Sequence, residues 1–355
     1  MKGIILHGGH GTRLRPLTHT GPKQLLPIAN KPMSEYCLDS LKNAGIIDIA
    51  IVVGGVGSNK VKEYYGDGKN FGVKLSYITQ DSPKGIAHAV RLCKDFVGSE
   101  KFVVFLGDNI IQKSIDEYAN NFIDSDDDAA ILLCKVDNPS QFGIAEIEDD
   151  KIIKLTEKPK NPPSNLAVTG IYFLTPLIFD LIDKLKPSWR NELEIVDALQ
   201  MLLDINHNVR YYMITDFWKD TGTPEDILQA NTTILENMKP YFHGTKEDDV
   251  MIEGNVMIGE GTIIKKRCKI IGPTIIGKNC QITNDVQIGP NTSIGNDSIL
   301  LHCNIKNSII MNNCEINCNI KIKNSIIASN SKITEQKIKH DERIFMLGEG
   351  TKISL

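Results

Sequence analysis

From Ile252 onward an isoleucine or leucine returns at every sixth residue: Ile252, Ile258, Ile264, Ile270, Ile276, Ile282, Ile288, Ile294 and Leu300, with Gly, Asn and Asp between them. A period of six matches neither the 3.6 of a helix nor the 2 of an ordinary strand. It predicts a β-solenoid in which each hexapeptide makes one short strand and one turn, the aliphatic side chain pointing inward. The phase slips after Leu300 and resumes at Ile310, Ile316 and Ile322, so an inserted loop is expected around His302 to Asn307, with further coils after it. The segment from Thr334 to Leu355 has lost the period and is expected to cap the stack, because an open end exposes strand edges.

The first part of the chain has a different rhythm. Between Lys2 and about Thr215, β-rich runs alternate with amphipathic ones: KGIILH, MSEYCLDSLKNAG, DIAIVVGG, VKLSYITQ, GIAHAVRLCKDFV and KFVVFLGDN. Near-continuous apolar runs such as Ile49 to Val53 and Phe102 to Leu106 suit parallel strands buried on both faces. The expectation is a doubly wound, Rossmann-like α/β domain over 1–240, with its ligand at the carboxyl ends of the strands, then a left-handed parallel β-helix with a cap over 241–355. A length of 355 residues agrees with two domains rather than one.

Charge and cysteine usage narrow the function. A formal net charge of -4 provides no basic field for nucleic acid, although a local cationic pocket for small phosphates stays open. No apolar run approaches the ~18 residues of a membrane span, and a cytoplasmic protein is expected. The eight cysteines have no CxxC pair and read as reduced, mostly buried thiols. Cys314 and Cys318 lack a second Cys or His pair at zinc-site spacing, which favours packing.

The first strand runs into GGHGTRLRPLTHTGPKQLLPI. Gly8, Gly9 and Gly11 permit positive φ and close backbone approach, so that consecutive N–H groups can turn onto an anion, and Arg13, Arg15 and Lys23 add cations to the same loop. Three glycines alone would be read as a turn on a solvated basic face. A dinucleotide fingerprint beginning at Gly9 would need glycine where Leu14 stands, and no GKS or GKT makes a Walker loop.

The stretch GHGTRLRPLT followed by PKQLLPI resembles the motif of the sugar-nucleotide pyrophosphorylases, GxGTRLxPLT and PKxLLPI. Further matches follow in that family's order: QDSPKG at Gln80 to Gly85, LGDN at Leu106 to Asn109, Phe142-Gly143, EKP at Glu157 to Pro159, SNLAVTGIYF from Ser164, and WKDTGT from Trp218. The resemblance covers residue 1 to about 235. The hexapeptide tail is similar to that of the long members that transfer a thymidylyl group to glucose 1-phosphate.

The resemblance implies an attack by a sugar 1-phosphate oxygen on the α-phosphorus of dTTP, or of UTP, with release of pyrophosphate. Charge neutralisation and alignment carry such a step. By resemblance, Leu6, Gly8, Gly9, Gly11 and Thr12 cradle the nucleotide, and Arg13 and Lys23 hold the β- and γ-phosphates. Asp108 and Asp220 would bind Mg²⁺, which takes one or two carboxylates plus phosphate oxygens. Asn109, Gly143, Glu157, Lys158, Val168, Gly170 and Trp218 would form the sugar-phosphate side, with Lys158 on the phosphate and Glu157 on sugar hydroxyls. Gln80 and Gly85, with Pro83 between them, would read the imide edge of thymine or uracil, since an amide donates and accepts at once. Arg15 has no implied ligand and reads as a surface or ion-pair residue. A homo-oligomer is expected from the solenoid's sides and ends.

Two positions depart from the family pattern. His7 stands where alanine is usual, and its ring would alter nucleotide choice, lower activity or point into a polar gap. His10, in the loop, reads as an exposed residue or a phosphate contact when protonated. Competing readings are a uridylyltransferase, a bifunctional protein whose solenoid also transfers acetyl groups, and a non-catalytic scaffold. The second of these has only His302 as a histidine between Val250 and Ser331, and intact Arg13, Lys23, Asp108, Lys158 and Asp220 weigh against the third.

Overall fold

The computed structural model describes residues 1–9, 11–283 and 285–335 of the chain. They divide into two compact units, one made of Met1–Gly11, Thr18–Leu25 and Met33–Asp220, the other of Thr12–Leu17, Leu26–Pro32 and the chain from Thr221 onward. Among the described residues no helix is long and apolar enough to cross a membrane.

In the first unit, alternation along each apolar strand sends successive side chains to opposite faces. Ile4 and Leu6 join a core with the helices Ile86–Arg91, Leu177–Ile182 and Ile195–Asp204, whereas Ile5 joins a second core with Met33–Asn43, Ser58–Tyr65 and Asp116–Asp124. That two-sided burial is why the strands read as unbroken apolar runs. Four strands, Lys74–Thr79, Asp48–Val53, Lys2–His7 and Phe102–Leu106, lie side by side and parallel in that order. The first three are laid down outward from Lys2–His7, and the fourth returns to its other side. The gap between Lys2–His7 and Phe102–Leu106 is therefore the switch point where such sheets take ligands. Beyond it the sheet turns antiparallel, with Leu166–Leu174 running against both Phe102–Leu106 and Ala129–Lys135.

In the second unit the six-residue period becomes three strands per coil. Ile258 pairs with Ile276 and Ile264 with Ile282, each eighteen residues on and parallel, so three hexapeptides close one turn of a parallel β-helix. Ile258, Ile264, Ile270, Ile276, Ile282, Ile288, Ile294 and Leu300 are all fully buried along its axis, and Ile252 is partly buried at the start. The position two residues before each aliphatic is small and also buried: Thr262, Cys268, Thr274, Cys280, Val286, Thr292 and Ser298. Four of the eight thiols, Cys268, Cys280, Cys303 and Cys314, occupy this corner position, and all eight are free. Turn residues sit at positive φ, which Asn and Asp tolerate, and their side chains stack from coil to coil. Asn279 donates to Asp297 at 3.2 Å and Asn307 to Asn324 at 2.8 Å.

The loop expected at His302 to Asn307 is not an insertion. Ile299–Lys306 is one eight-residue strand with an irregularity between Leu301 and Cys303, where His302 takes φ 54°. The buried aliphatics step by five, Leu300 to Ile305 to Ile310, so the coil is shortened: Leu300 pairs with Ile316, only sixteen residues on. A missing residue shifts the phase as surely as an extra one, and the period alone does not distinguish them. The expected cap from Thr334 lies almost wholly outside the described residues, which end at Glu335 in this region, and His10 lies outside them too.

Candidate active site

The site is assembled where the Lys2–His7 and Phe102–Leu106 strands end. Leu6 keeps its side chain in the core while its carbonyl accepts from Gly107 N–H at 3.0 Å, locking the two strand ends together. A β-carbon at Gly107 would lie 2.9 Å from that carbonyl, which is why glycine precedes Asp108. Gly8 has its carbonyl held by the buried Gln24 amide at 2.9 Å, and Gly9 and Gly11 take φ 94° and 57°. At Gly11 a β-carbon would strike Thr18, whose hydroxyl donates to the Gly11 carbonyl at 2.8 Å.

Asp108 meets Lys23 in a hydrogen-bonded ion pair, with both side chains largely buried. Burial by itself would raise the Asp108 carboxyl, but the Lys23 charge and the hydrogen bonds from Lys23 and Asn109 outweigh it and hold the group below its usual range. Lys219, two residues before Thr221, belongs to a short strand, Trp218–Asp220, that runs antiparallel to Asn109–Ile111 and places Asp220 opposite Asn109. The ladder thus sets Asp220 opposite Asn109, the residue that follows Asp108, across more than a hundred residues of chain. Among the described residues no group of three or more His, Cys, Asp or Glu gathers for a metal. Asp108 and Asp220 carry the hard oxygen donors that Mg²⁺ takes when phosphates complete its shell.

Asn109 is 2% exposed and organises this corner. Its Oδ1 accepts from the Trp218 indole at 2.7 Å and from Gly170 N–H at 3.3 Å, while its Nδ2 donates to Asp108 at 3.1 Å. Trp218 is buried and meets the Phe142 ring edge-on at 5.6 Å. Its indole N–H thereby fixes the Asn109 amide. Gly170 is required by contact, since a β-carbon would come within 2.8 Å of the Asn109 amide. Val168, on the same strand, has its side chain in the core.

The EKP carboxylate lies on the neighbouring strand pair. Glu157 is opposite Gly143, and a β-carbon at Gly143 would reach 3.2 Å from Glu157 Oε2 and 2.6 Å from Val196. Lys158, at φ 41°, donates its backbone N–H to Phe142 and sets its ammonium 3.7 Å from Glu157. Burial pushes Glu157 up to about 7, with Lys158 and Arg190 lowering it and Glu194 and Asp197 raising it. Arg190 was not anticipated from the sequence: its guanidinium lies 3.3 Å from Glu157, 2.7 Å from Glu192 and 3.5 Å from Glu194. The legible signal was an arginine followed by an acidic run, RNELE, ahead of an amphipathic helix.

Arg190 is tied to the segment around Gly85 through the backbone. Leu193 donates to the Lys84 carbonyl at 2.7 Å and accepts from Ala87 N–H at 3.0 Å, while Gly85 between them, at φ 101°, leaves no room for a β-carbon, which would be 2.4 Å from the Leu193 carbonyl. Gln80 is buried, its amide between Gly8 and Gly85, and Pro83 is exposed in the loop joining it to Gly85. Thr12 and Arg13 fall in the second compact unit, where the Arg13 guanidinium lies against Gly222.

His7 resolves one of the three outcomes expected for it. It is 1% exposed, on the face of the sheet that holds Ile5 and Tyr65, 6.2 Å from the Tyr65 ring centroid, and neither ring nitrogen has a hydrogen-bond partner among the described residues. Burial lowers its pKa from 6.5 to about 3, against a smaller opposing pull from Asp108. The ring is a neutral filler of that core.

This arrangement agrees with a match of residues 2–237 to the nucleotidyl transferase family model. The chain belongs to that family. Residues 270–354 match the GMPPB C-terminal domain. Over 261 residues the chain is 47% identical to the low-salt glycan biosynthesis nucleotidyltransferase Agl11 of Haloferax volcanii, 73% of each chain being covered. Over 275 residues it is 43% identical to a glucose-1-phosphate thymidylyltransferase of Streptomyces antibioticus, covering 77% of each. A Bacillus anthracis structure named as a glucose-1-phosphate thymidylyltransferase, solved with sucrose, aligns at a TM-score of 0.64 and 41% identity over 68% of this chain and 98% of its own. The chain is thus a sugar-nucleotide pyrophosphorylase of the nucleotidyl transferase family, and only some of these relatives are named for thymidylyl transfer to glucose 1-phosphate.

Proposed function

We propose that the chain is a glucose-1-phosphate thymidylyltransferase that joins dTTP and glucose 1-phosphate to give dTDP-glucose and pyrophosphate with Mg²⁺. The observation that carries the reading is the register that sets Asp220 opposite Asn109, next in sequence to the Asp108 that pairs with Lys23. Relatives named for thymidylyl transfer to glucose 1-phosphate support the choice of substrates.

The residues divide the work. Gly8, Gly9 and Gly11 offer backbone to the triphosphate, Lys23 faces the charge that grows on the departing pyrophosphate, and the role of Arg13 on the same phosphates rests on the motif alone. Asp108 and Asp220 would hold the metal, which when bound neutralises phosphate charge. Lys158 and Arg190 supply positive charge for the sugar phosphate, and Glu157, with Gly143 clearing space beside it, accepts from sugar hydroxyls. Alignment of two polyanions accounts for most of the catalysis. No side chain needs to act as a base, because the attacking phosphate oxygen is already anionic.

The test is pyrophosphate release with glucose 1-phosphate and Mg²⁺, comparing dTTP, UTP, ATP, CTP and GTP, with Asp108→Asn as the blank. Turnover favouring dTTP and lost in the variant is expected. Preference for UTP would keep the mechanism and change the product, and silence with every nucleotide would overturn the proposal.

A further inference from the structure

Gln80 holds an amide, and an amide can show a nucleobase either its donor or its acceptor. The structure decides between them through a residue that no motif includes. Gln80 Nε2 lies 3.0 Å from His88 Nδ1 and 3.4 Å from the Gly85 carbonyl oxygen. A carbonyl only accepts, so the atom shared by these two partners is the NH₂ end. His88 Nδ1 must then be an acceptor, which puts the proton on Nε2 and leaves the ring neutral. Both amide hydrogens are used, and the remaining atom, Oε1, faces Gly8: a β-carbon there would lie 3.4 Å from it.

We propose that His88 is a positioning residue for base selection: by accepting from Gln80 it leaves only the Gln80 carbonyl oxygen to read the base, and so selects bases whose ring edge presents an N–H. This inference rests on the proposed function, in which the Gln80–Gly85 segment takes the nucleobase. Thymine and uracil carry an N3–H and satisfy Oε1. Cytosine at N3 and adenine at N1 carry lone pairs, and an acceptor facing an acceptor leaves both unpaired in a buried place. Turning the amide over would set its oxygen against the Gly85 carbonyl, so the clamp resists the flip.

The surroundings favour the neutral ring. Burial lowers its pKa below 6.5, and Lys84 and Arg91 lower it further, while Asp81 opposes them; Arg91 is itself paired with Asp183 at 2.7 Å. Protonation would turn Nδ1 into a donor pointed at the amide hydrogens and drive Gln80 to flip. The KM for a thymidine or uridine triphosphate therefore rises as pH falls through the His88 pKa.

The experiment compares wild type, His88→Ala and His88→Gln, measuring kcat and KM for dTTP, UTP and CTP from pH 8 to 5.5, with calorimetric binding of dTTP alongside. In His88→Ala the dTTP KM rises about tenfold with kcat within about twofold, the dTTP-over-CTP ratio of kcat/KM falls about tenfold, and the acid-side rise in KM disappears. In His88→Gln, which keeps an acceptor that does not titrate, KM returns to within about threefold of wild type and stays flat with pH. Unchanged KM, ratio and pH profile in His88→Ala would overturn the proposal, as would His88→Gln behaving no better than alanine. If wild type turns over no nucleotide, the function reading falls by itself and dTTP binding decides for His88: equal affinity in wild type and His88→Ala, or no binding by wild type, sinks the clamp.

Discussion

Burying a histidine without a partner has a consequence for stability that can be worked out in advance. His7 holds its native pKa near 3 because the buried ring cannot take a proton, whereas in the unfolded chain it titrates near 6.5. A base whose pKa is depressed by folding binds more protons when unfolded, so stability is full above pH 6.5 and is lost as pH falls toward 3. At pH 5 the unfolded ring is almost fully protonated and the native ring is not, which amounts to about 2 kcal/mol from about 1.5 pH units at 1.36 kcal/mol each. His7→Leu keeps apolar volume beside Ile5 and Tyr65 and removes both the titration and the two unpartnered nitrogens. It is expected to gain about 1 kcal/mol at pH 8 and about 3 kcal/mol relative to wild type at pH 5. Urea unfolding can be followed through Trp218, which is buried, in a Trp189→Phe background, since Trp189 is 82% exposed and the chain has no third tryptophan. Other groups titrate equally in both proteins, so the difference between the two curves isolates His7. Parallel stability–pH curves for wild type and His7→Leu would refute the reasoning.

Other perturbations follow from single contacts. Asn109→Ala strands the Trp218 indole N–H and the Gly170 N–H and removes a bond to Asp108, so urea unfolding should show a loss of about 3–5 kcal/mol, with a double-mutant cycle against Trp218→Phe coupling by about 1 kcal/mol or more. Gly85→Ala forces a β-carbon onto the Leu193 carbonyl at a left-handed φ, and the expected result is about 2–4 kcal/mol of lost stability in the same assay, with weaker nucleotide binding by calorimetry. Ile282→Ala empties a fully buried site on the solenoid axis and should cost about 2–5 kcal/mol in thermal or chemical unfolding. Glu157, pushed up to about 7, keeps its proton in the folded state where the unfolded chain has lost it, so wild-type stability should fall as pH rises from about 4.5 to 7; Glu157→Gln should flatten that segment of the curve.

The inward positions of the solenoid were readable because its repeat is purely local: each hexapeptide fills the same slot, so spacing alone specifies which side chain is buried. The same holds for the four parallel strands, whose two-sided burial is written into their composition. The shortened coils at Leu300 to Ile316 were misread as an insertion because a phase slip does not say whether residues were gained or lost; the strand ladder does. Asp220 could be proposed for the site only through its motif, since its place opposite Asn109 depends on a pairing between distant segments. Arg190, the support of Trp218 by Asn109, the face on which His7 lies and the orientation of the Gln80 amide were not legible at all. Each depends on which atoms from separate segments come within hydrogen-bond reach or are shut off from water, and a linear pattern carries the period and chemistry of its residues but not those distances.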